Sequence, residues 1–242
     1  LQYGRTGLWR LVDHIRTKLD ERTVRPYDRF VVLTKEDQGY WGALPNIRVI
    51  PNALPFTTDT PSDCKAHRVV AAGRYDFQKN FELLIRLWAR LAPSFPDWEL
   101  YIVGDGKMRA ELTALVTSLG LTGSITLATP THQMQEVYRS SSVYAMTSRY
   151  EGLPMVLLEA QQMGLPIVSF ACPCGPRDVI TDGRNGFLIE PGDEERFVAE
   201  LSRLMADEEL RCKMGEEARK ASLRYTVDHV MAQWVELFEG LG

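Results

Sequence analysis

Ser148–Pro166 reads S-R-Y-E-G-L-P-M-V-L-L-E-A-Q-Q-M-G-L-P, and the rest of the chain is organised around it. Pro154 stands at the expected first position of a helix over 154–163, and Gly164 stands just past its end, the usual punctuation of a helix. One acid, Glu151, precedes the helix beside Gly152. A second, Glu159, lies two turns inside the apolar run, eight residues further on. A helix start presents free N–H groups and roughly half a positive charge, so the stretch predicts a phosphate-type anion site flanked by two carboxylates.

Outward from this stretch the pattern is regular. Strands are predicted over 68–72, 98–103, 124–128, 143–147, 166–170 and 186–189. Helices over 80–91, 107–119, 132–140, 154–163 and 175–181 alternate with them, and helices over 193–205 and 207–222 close the series. The strands are continuous apolar runs, which marks burial on both faces. Alternation through short loops predicts an α/β fold, a Rossmann-like doubly wound parallel sheet. Such sheets bind ligands beyond the carboxyl ends of their strands. The loops carrying Gly73, Gly104 and Gly152 all fall at that edge.

The flanks are less regular. Residues 53–66 carry two prolines and no periodicity and read as a linker. Before it, strands over 30–34 and 47–50 flank a short helix over 35–42. Leu8, Val12, Ile15 and Leu19 predict an amphipathic helix over 8–21. After 225, Val227, Val230, Met231, Trp234, Val235, Phe238 and Leu241 form a broad apolar stripe on a helix over 226–240. That stripe is expected to dock on the same domain, with a bridge to a neighbouring domain as the alternative. The predicted organisation is thus 1–52, the linker 53–66, a domain over 67–225, and a terminal helix over 226–242.

The 242 residues are 45% hydrophobic and 25% charged with a net charge of −4, which fits a soluble globular chain and argues against nucleic acid as a partner. No run approaches the ~18 apolar residues of a membrane span, and no signal peptide is read. The chain begins at Leu1 without Met, so a fragment or trimmed chain is expected. Cys64, Cys172, Cys174 and Cys212 lack zinc spacing and read as reduced thiols of a cytosolic protein. Residues 1–30 carry seven basic and four acidic groups. A helix with a solvated basic face is the preferred reading there, and contact with an anionic membrane surface is the alternative.

Several residues at the predicted edge suit one chemistry. Arg74 leaves the strand over 68–72 and Lys79 opens the next helix; a planar fork and a point charge across one loop suit a diphosphate. Glu159, inside an apolar helix, needs a partner, and two ribose hydroxyls can both donate to one carboxylate. The bland alternatives are a pair of surface bases, an acid complementing the helix dipole, and an acid on a helix's polar side. Asp105, in Gly104-Asp105-Gly106-Lys107, is a candidate helix cap. Gly175-Pro176-Arg177-Asp178 is a second turn whose N–H groups would face a ligand. P-loop, His-Glu-x-x-His, G-x-S-x-G and Asp-x-Asp patterns do not occur at the site. His14, His67, His132 and His229 show no acid pairs in the sequence.

Glu151-Gly152-Leu153-Pro154-Met155-Val156-Leu157-Leu158-Glu159 resembles the E-x7-E motif of retaining GT-B glycosyltransferases, in particular glycosyltransferase family 4. Gly73-Arg74…Lys79-Asn80, Val103-Gly104-Asp105-Gly106, Cys174–Asp178 and Asp182-Gly183…Asn185–Ile189 resemble its other signatures in the same order. The match is strong over 68–206, while 25–52 resembles the end of the family's N-terminal domain and its hinge.

The resemblance implies two Rossmann-like domains, with a nucleotide-sugar donor held by the second. It implies that Arg74 and Lys79 hold the donor diphosphate and that Glu151 contacts the sugar, these three being the catalytic set. Gly73, Asn80 and Gly104 would line the site. Backbone around Gly152, Leu153, Pro154, Met155 and Val156 would meet phosphate or sugar, Leu127, Thr129 and Pro130 would flank the base, and Glu159 would bind the ribose. No metal or other cofactor is implied. The activity implied is retaining transfer from a nucleotide-diphosphate sugar, with UDP the expected nucleotide, to a saccharide or lipid-linked acceptor in polysaccharide or glycoconjugate synthesis. A cytoplasmic enzyme is expected, with contact at the membrane periphery as an option. Most of the acceptor domain is missing from the match, so donor binding with poor transfer is expected of this chain alone. A nucleotide-sugar epimerase of the same architecture and a non-catalytic nucleotide-binding module are the alternatives.

Overall fold

The computed structural model describes residues 22–241. Its centre is a six-stranded, wholly parallel sheet in the order β5-β4-β3-β6-β7-β8. The strands are β3 (Arg68–Ala72), β4 (Glu99–Val103), β5 (Ile125–Ala128), β6 (Val143–Met146), β7 (Ile167–Phe170) and β8 (Gly186–Ile189). Successive side chains of a strand point to opposite faces, so one apolar run feeds two cores. From β3, Val69 and Ala71 pack with Leu84 and Trp88 of α2 (Phe81–Leu91), Leu112 of α3 (Arg109–Ser118) and Phe197 of α7 (Glu194–Ala206). Val70 and Ala72 pack on the other face, with Tyr138 of α4 (Met134–Arg139) and with Leu157 and Leu158 of α5 (Met155–Gln162). α6 (Pro176–Val179) and α8 (Glu208–Ser222) complete the cover.

The chain runs outward from β3 to β4 and β5, then returns to place β6 on β3's other side. The sheet therefore has its topological switch between β3 and β6, where the loops leaving the two strands diverge and open a crevice.

A smaller parallel pair, β1 (Phe30–Val32) and β2 (Ile47–Val49), sits apart from this sheet with α1 (Lys35–Tyr40) between them in sequence. Val32, Leu44 and Ile47 form its own small core. Residues 53–66 carry no helix or strand and run across the larger unit, Leu54 N–H donating to Tyr225 O (2.7 Å) and Ser62 N–H to Met163 O (2.8 Å).

Four expectations need comment. Pro154 is the N-cap of α5 rather than its first helical residue, with ψ at 99°. Asp105 does not cap α3: its carboxylate accepts from the next residue, Gly106 N–H (2.8 Å), and pairs with Arg109 (3.2 Å), while Met108 occupies the cap position. The apolar stripe of α9 (Val227–Glu239) does not dock as a whole. Val230 is its one fully buried residue, whereas Val227, Met231, Val235 and Phe238 are exposed. The helix turns its Gln233 and Leu237 side toward the smaller unit, where Arg29 donates to Gly240 O (3.3 Å). The amphipathic helix over 8–21, and the basic face assigned to it, lie outside the described residues.

Candidate functional site

The two loops at the switch are tied together residue by residue. After β3 the chain bends at Gly73. A Cβ there would come within 2.8 Å of the Lys79 side chain, so the lysine stem lies across the glycine. Asp76 fixes the bend by accepting from Lys79 N–H (3.1 Å). Asn80 then starts α2 in the left-handed region (φ 55°), which a short amide side chain tolerates. Its carbonyl accepts from Thr147 Oγ1 (3.1 Å) and its side chain from Arg149 (2.8 Å), which pins the β3 loop to the β6 loop. Gln78 donates to Tyr150 O (3.0 Å) on the same seam.

This seam brings Lys79 Nζ to 2.8 Å from Glu151 Oε1, with the two side chains only 14% and 7% exposed. A charge pair so little hydrated is strong where it stands and costly to break. The Glu151 loop is backed by the segment after β7. Glu151 N–H donates to Pro173 O (2.6 Å), and Cys174 N–H donates to Glu151 O (3.1 Å). Gly175, at φ 95°, lies so close beneath that a Cβ would come within 2.4 Å of Gly152 O. Immediately beyond, α5 begins with no side-chain cap. Among the described residues nothing accepts from the N–H groups of Gly152, Leu153, Met155 or Val156. These donors, with the positive end of the helix dipole, form a preorganised seat for negative charge.

An open pocket of about 310 Å³ adjoins this seat at the ends of β3 and β4. Gly104 forms part of its floor, and a Cβ there would collide with Gly73 O at 1.9 Å, so the two strand ends approach more closely than any side chain allows. Glu159 reaches the pocket from α5 and accepts from the Tyr138 hydroxyl (2.8 Å). Burial raises the Glu159 carboxyl above its ordinary range, and the Tyr138 hydrogen bond offsets part of that rise. Burial also pushes the Cys172 thiol up to about 12, with the Glu151 charge adding to it, so this sulfur is held as the thiol at neutral pH.

The predicted residues divide by position. Lys79 and Glu151 meet directly, and Gly73, Arg74, Gly104, Pro130, Val156 and Glu159 line the pocket. Arg74 points outward, 75% exposed and 3.5 Å from Asp76, within reach of the mouth but not yet engaged there. Asn80 serves the seam, Leu153 faces a different cavity, and Leu127, Thr129, Gly152, Pro154 and Met155 are not pocket walls. In the Gly175–Asp178 turn, the N–H group of Asp178 is taken up by Gly175 O, as is that of Val179 just beyond it, so Asp178 does not offer its N–H to a ligand.

Sequence reading did not assign Ala72, Val103, Asp105, Thr131, Met134 or Tyr138 to the site, and all six are pocket walls. Only Tyr138 left a signal: a hydroxyl on an apolar helix stripe needs an acceptor when buried, and Glu159 was an acid in an apolar stripe needing a donor.

A doubly wound parallel sheet with an anion seat at its switch point is the architecture of the GT-B glycosyltransferases, as the ordered motifs implied. Residues 58–221 match the family described as glycosyl transferases group 1, and the chain belongs to that family. It is 36% identical over 220 residues to the amylovoran biosynthesis glycosyltransferase AmsD of Erwinia amylovora, covering 87% of this chain and 62% of that protein. It is 34% identical over 220 residues to the exopolysaccharide phosphotransferase SCO2592 of Streptomyces coelicolor, covering 88% of this chain and 23% of that protein. Among solved structures, Anabaena Alr3699/HepE in complex with UDP has the same fold, with a TM-score of 0.83 at 21% identity, covering 93% of this chain and 67% of that one. The chain thus spans less than two thirds of the length of both curated relatives. Among the described residues, no helix is long and apolar enough to cross a membrane.

Proposed function

We propose that this chain forms the donor-binding part of a retaining glycosyltransferase of the family-4 type. It takes a nucleotide-diphosphate sugar, with UDP as the nucleotide, and serves transfer to a saccharide or lipid-linked acceptor in polysaccharide or glycoconjugate synthesis. The observation that carries the reading is the buried Lys79–Glu151 pair set against the uncapped start of α5. Glu159 in the adjoining pocket supports it, as a carboxylate able to accept from both ribose hydroxyls. The UDP bound in the HepE structure and the amylovoran synthesis named for AmsD support the choice of nucleotide and product class.

In this reading the diphosphate lies over Gly73 and against the α5 terminus. Lys79 shares its charge between Glu151 and the phosphates, and Arg74 swings in from its exposed position to close the mouth. As the bond from the anomeric carbon to the diphosphate breaks, negative charge builds on the leaving oxygens. Lys79 and the free N–H groups are already aimed at it, which is electrostatic catalysis by a preorganised site, and Arg74 adds its charge once it has swung in. The acceptor hydroxyl attacks on the face that the nucleotide leaves and gives its proton to the departing diphosphate oxygen, so the anomeric configuration is kept. Glu151 holds the sugar hydroxyls and positions the ring. The charge on the diphosphate is met by these groups without a divalent ion.

The reading is tested by calorimetric titration of UDP, GDP and ADP into the wild-type chain and Lys79→Ala. Preferential UDP binding that weakens in the variant is expected; no binding of any nucleotide would sink the proposal. A Glu151→Gln enzyme that keeps full turnover would remove Glu151 from the positioning role.

A further inference from the structure

A second cavity, about 440 Å³, lies where the smaller unit meets the larger one. Leu33 and Lys35 line it from the smaller unit, Arg177 and Asp178 from α6, and Arg224 and Gln233 from the turn into α9 and from α9 itself. It shares no wall residue with the pocket that holds Glu159.

The charges around it are not balanced. Arg177 is held by Glu190 through both terminal nitrogens (3.0 and 3.1 Å). The Asp178 carboxylate accepts from Lys35 N–H (2.8 Å) and Glu36 N–H (3.3 Å), which commits it to the start of α1. Among the described residues no carboxylate pairs with the side chain of Lys35 or of Arg224. Arg224 is steadied instead over the Tyr225 ring (4.8 Å) and by donating to Asp178 O. Lys35 is the first residue of α1, and Glu36 and Asp37 follow it in the same turn, where acids complement the helix dipole. Lys35 and Arg224 thus line one cavity with, among the described residues, no carboxylate paired to either side chain.

We propose that this cavity binds a phosphate monoester, gripped by Lys35 from one side and Arg224 from the other, and thereby clasps the smaller unit to the larger. A guanidinium fork with an ammonium point charge suits a phosphate oxygen cluster, and the Gln233 amide can meet a hydroxyl of the group it carries. The proposal does not rest on the donor reading: Lys35, Arg224 and Gln233 take no part in it, although Leu153, whose N–H belongs to the α5 seat, also lines this cavity.

Calorimetry of glycerol 3-phosphate with the full chain tests it, using glycerol as the phosphate-free control. Saturable binding that weakens with salt is expected, at least about tenfold weaker in Lys35→Ala and in Arg224→Ala, and little changed in Arg74→Ala. Arg224→Lys, which keeps the charge, is expected to restore most of the affinity, and each variant is first required to melt cooperatively. Sedimentation with phosphatidylcholine vesicles containing phosphatidic acid distinguishes the source. Vesicle binding that depends on Lys35 and Arg224 without binding of glycerol 3-phosphate assigns the phosphate to a lipid headgroup and sustains the site. Absence of both kinds of binding, or binding lost in Arg74→Ala but kept in Lys35→Ala and Arg224→Ala, overturns it.

Discussion

Replacing Lys79 by Met removes a charge while keeping the stem that lies across Gly73. The ammonium stands 2.8 Å from Glu151 Oε1. At an effective dielectric near 20, two unit charges at that separation attract by about 6 kcal/mol. Desolvating two ions offsets most of this, so the intact pair contributes little net stability. Breaking it is different: Lys79→Met strands a carboxylate that is 7% exposed, with Gln78 Nε2 at 3.4 Å as its remaining side-chain donor. The expected loss is about 3 kcal/mol, or roughly 6–12 °C in Tm for a chain of this size. Glu151→Gln strands the ammonium and is expected to cost about as much. The double variant leaves no unpaired charge, so it is expected to lose far less than the roughly 6 kcal/mol sum of the two single losses, and the shortfall is the coupling. Urea unfolding followed by tryptophan fluorescence measures all four corners of this cycle. Additivity within about 0.5 kcal/mol would refute the argument. The same variants separate stability from binding. Lys79→Met is expected to weaken UDP by tenfold or more, whereas Glu151→Gln frees Lys79 for phosphate and is expected to bind UDP at least as tightly.

Three further outcomes follow from the geometry. In the unfolded chain Glu159 titrates near its ordinary 4.5, whereas in the fold burial holds its proton to higher pH. The folded state then binds more protons across that window, so stability falls as pH rises through it. Denaturation from acid to neutral pH should show Glu159→Gln gaining on wild type, and a constant difference would refute the burial argument. Gly104→Ala forces a Cβ to 1.9 Å from Gly73 O and is expected to cost about 3 kcal/mol or more in urea unfolding; a loss below about 1 kcal/mol would show that the strand ends can part. Asp178→Ala leaves the Lys35 and Glu36 N–H groups without their acceptor, so amide exchange in α1 should quicken while β3 and β6 stay protected. Equal quickening throughout would mean that Asp178 supports the whole fold.

Much of the architecture was written locally. Val69–Ala72 and Val143–Met146 are apolar without alternation, and that is what a strand covered on both faces requires. The crevice was legible because Gly73 and Glu151 both sit just past such strands. Contacts between distant side chains left no such trace. The Tyr138–Glu159 bond spans 21 residues and depends on how α4 and α5 lie against each other. Asp178 reaches α1 from 142 to 143 residues away, so no local pattern marks it as a cap. The stripe on α9 failed differently. Periodicity shows that Met231, Val235 and Phe238 share a face, but not that the sheet's own helices leave it uncovered.

The strand order carries a consequence for how the chain acquires its crevice. β3 can pair with β4 once 31 residues separate Arg68 from Glu99, but Val69 must wait 74 residues for Val143. Closing the longer loop costs only about 0.8 kcal/mol more in chain entropy, yet it cannot begin until β6 exists. A nascent chain emerging in order can therefore build β3, β4 and β5 as a half-sheet, with one edge of β3 bare. Lys79 is present in that half-sheet, and the carboxylate that neutralises it is still unsynthesised. The buried pair is thus a late event, and the bare edge of β3 is the surface most exposed to mispairing until β6 arrives.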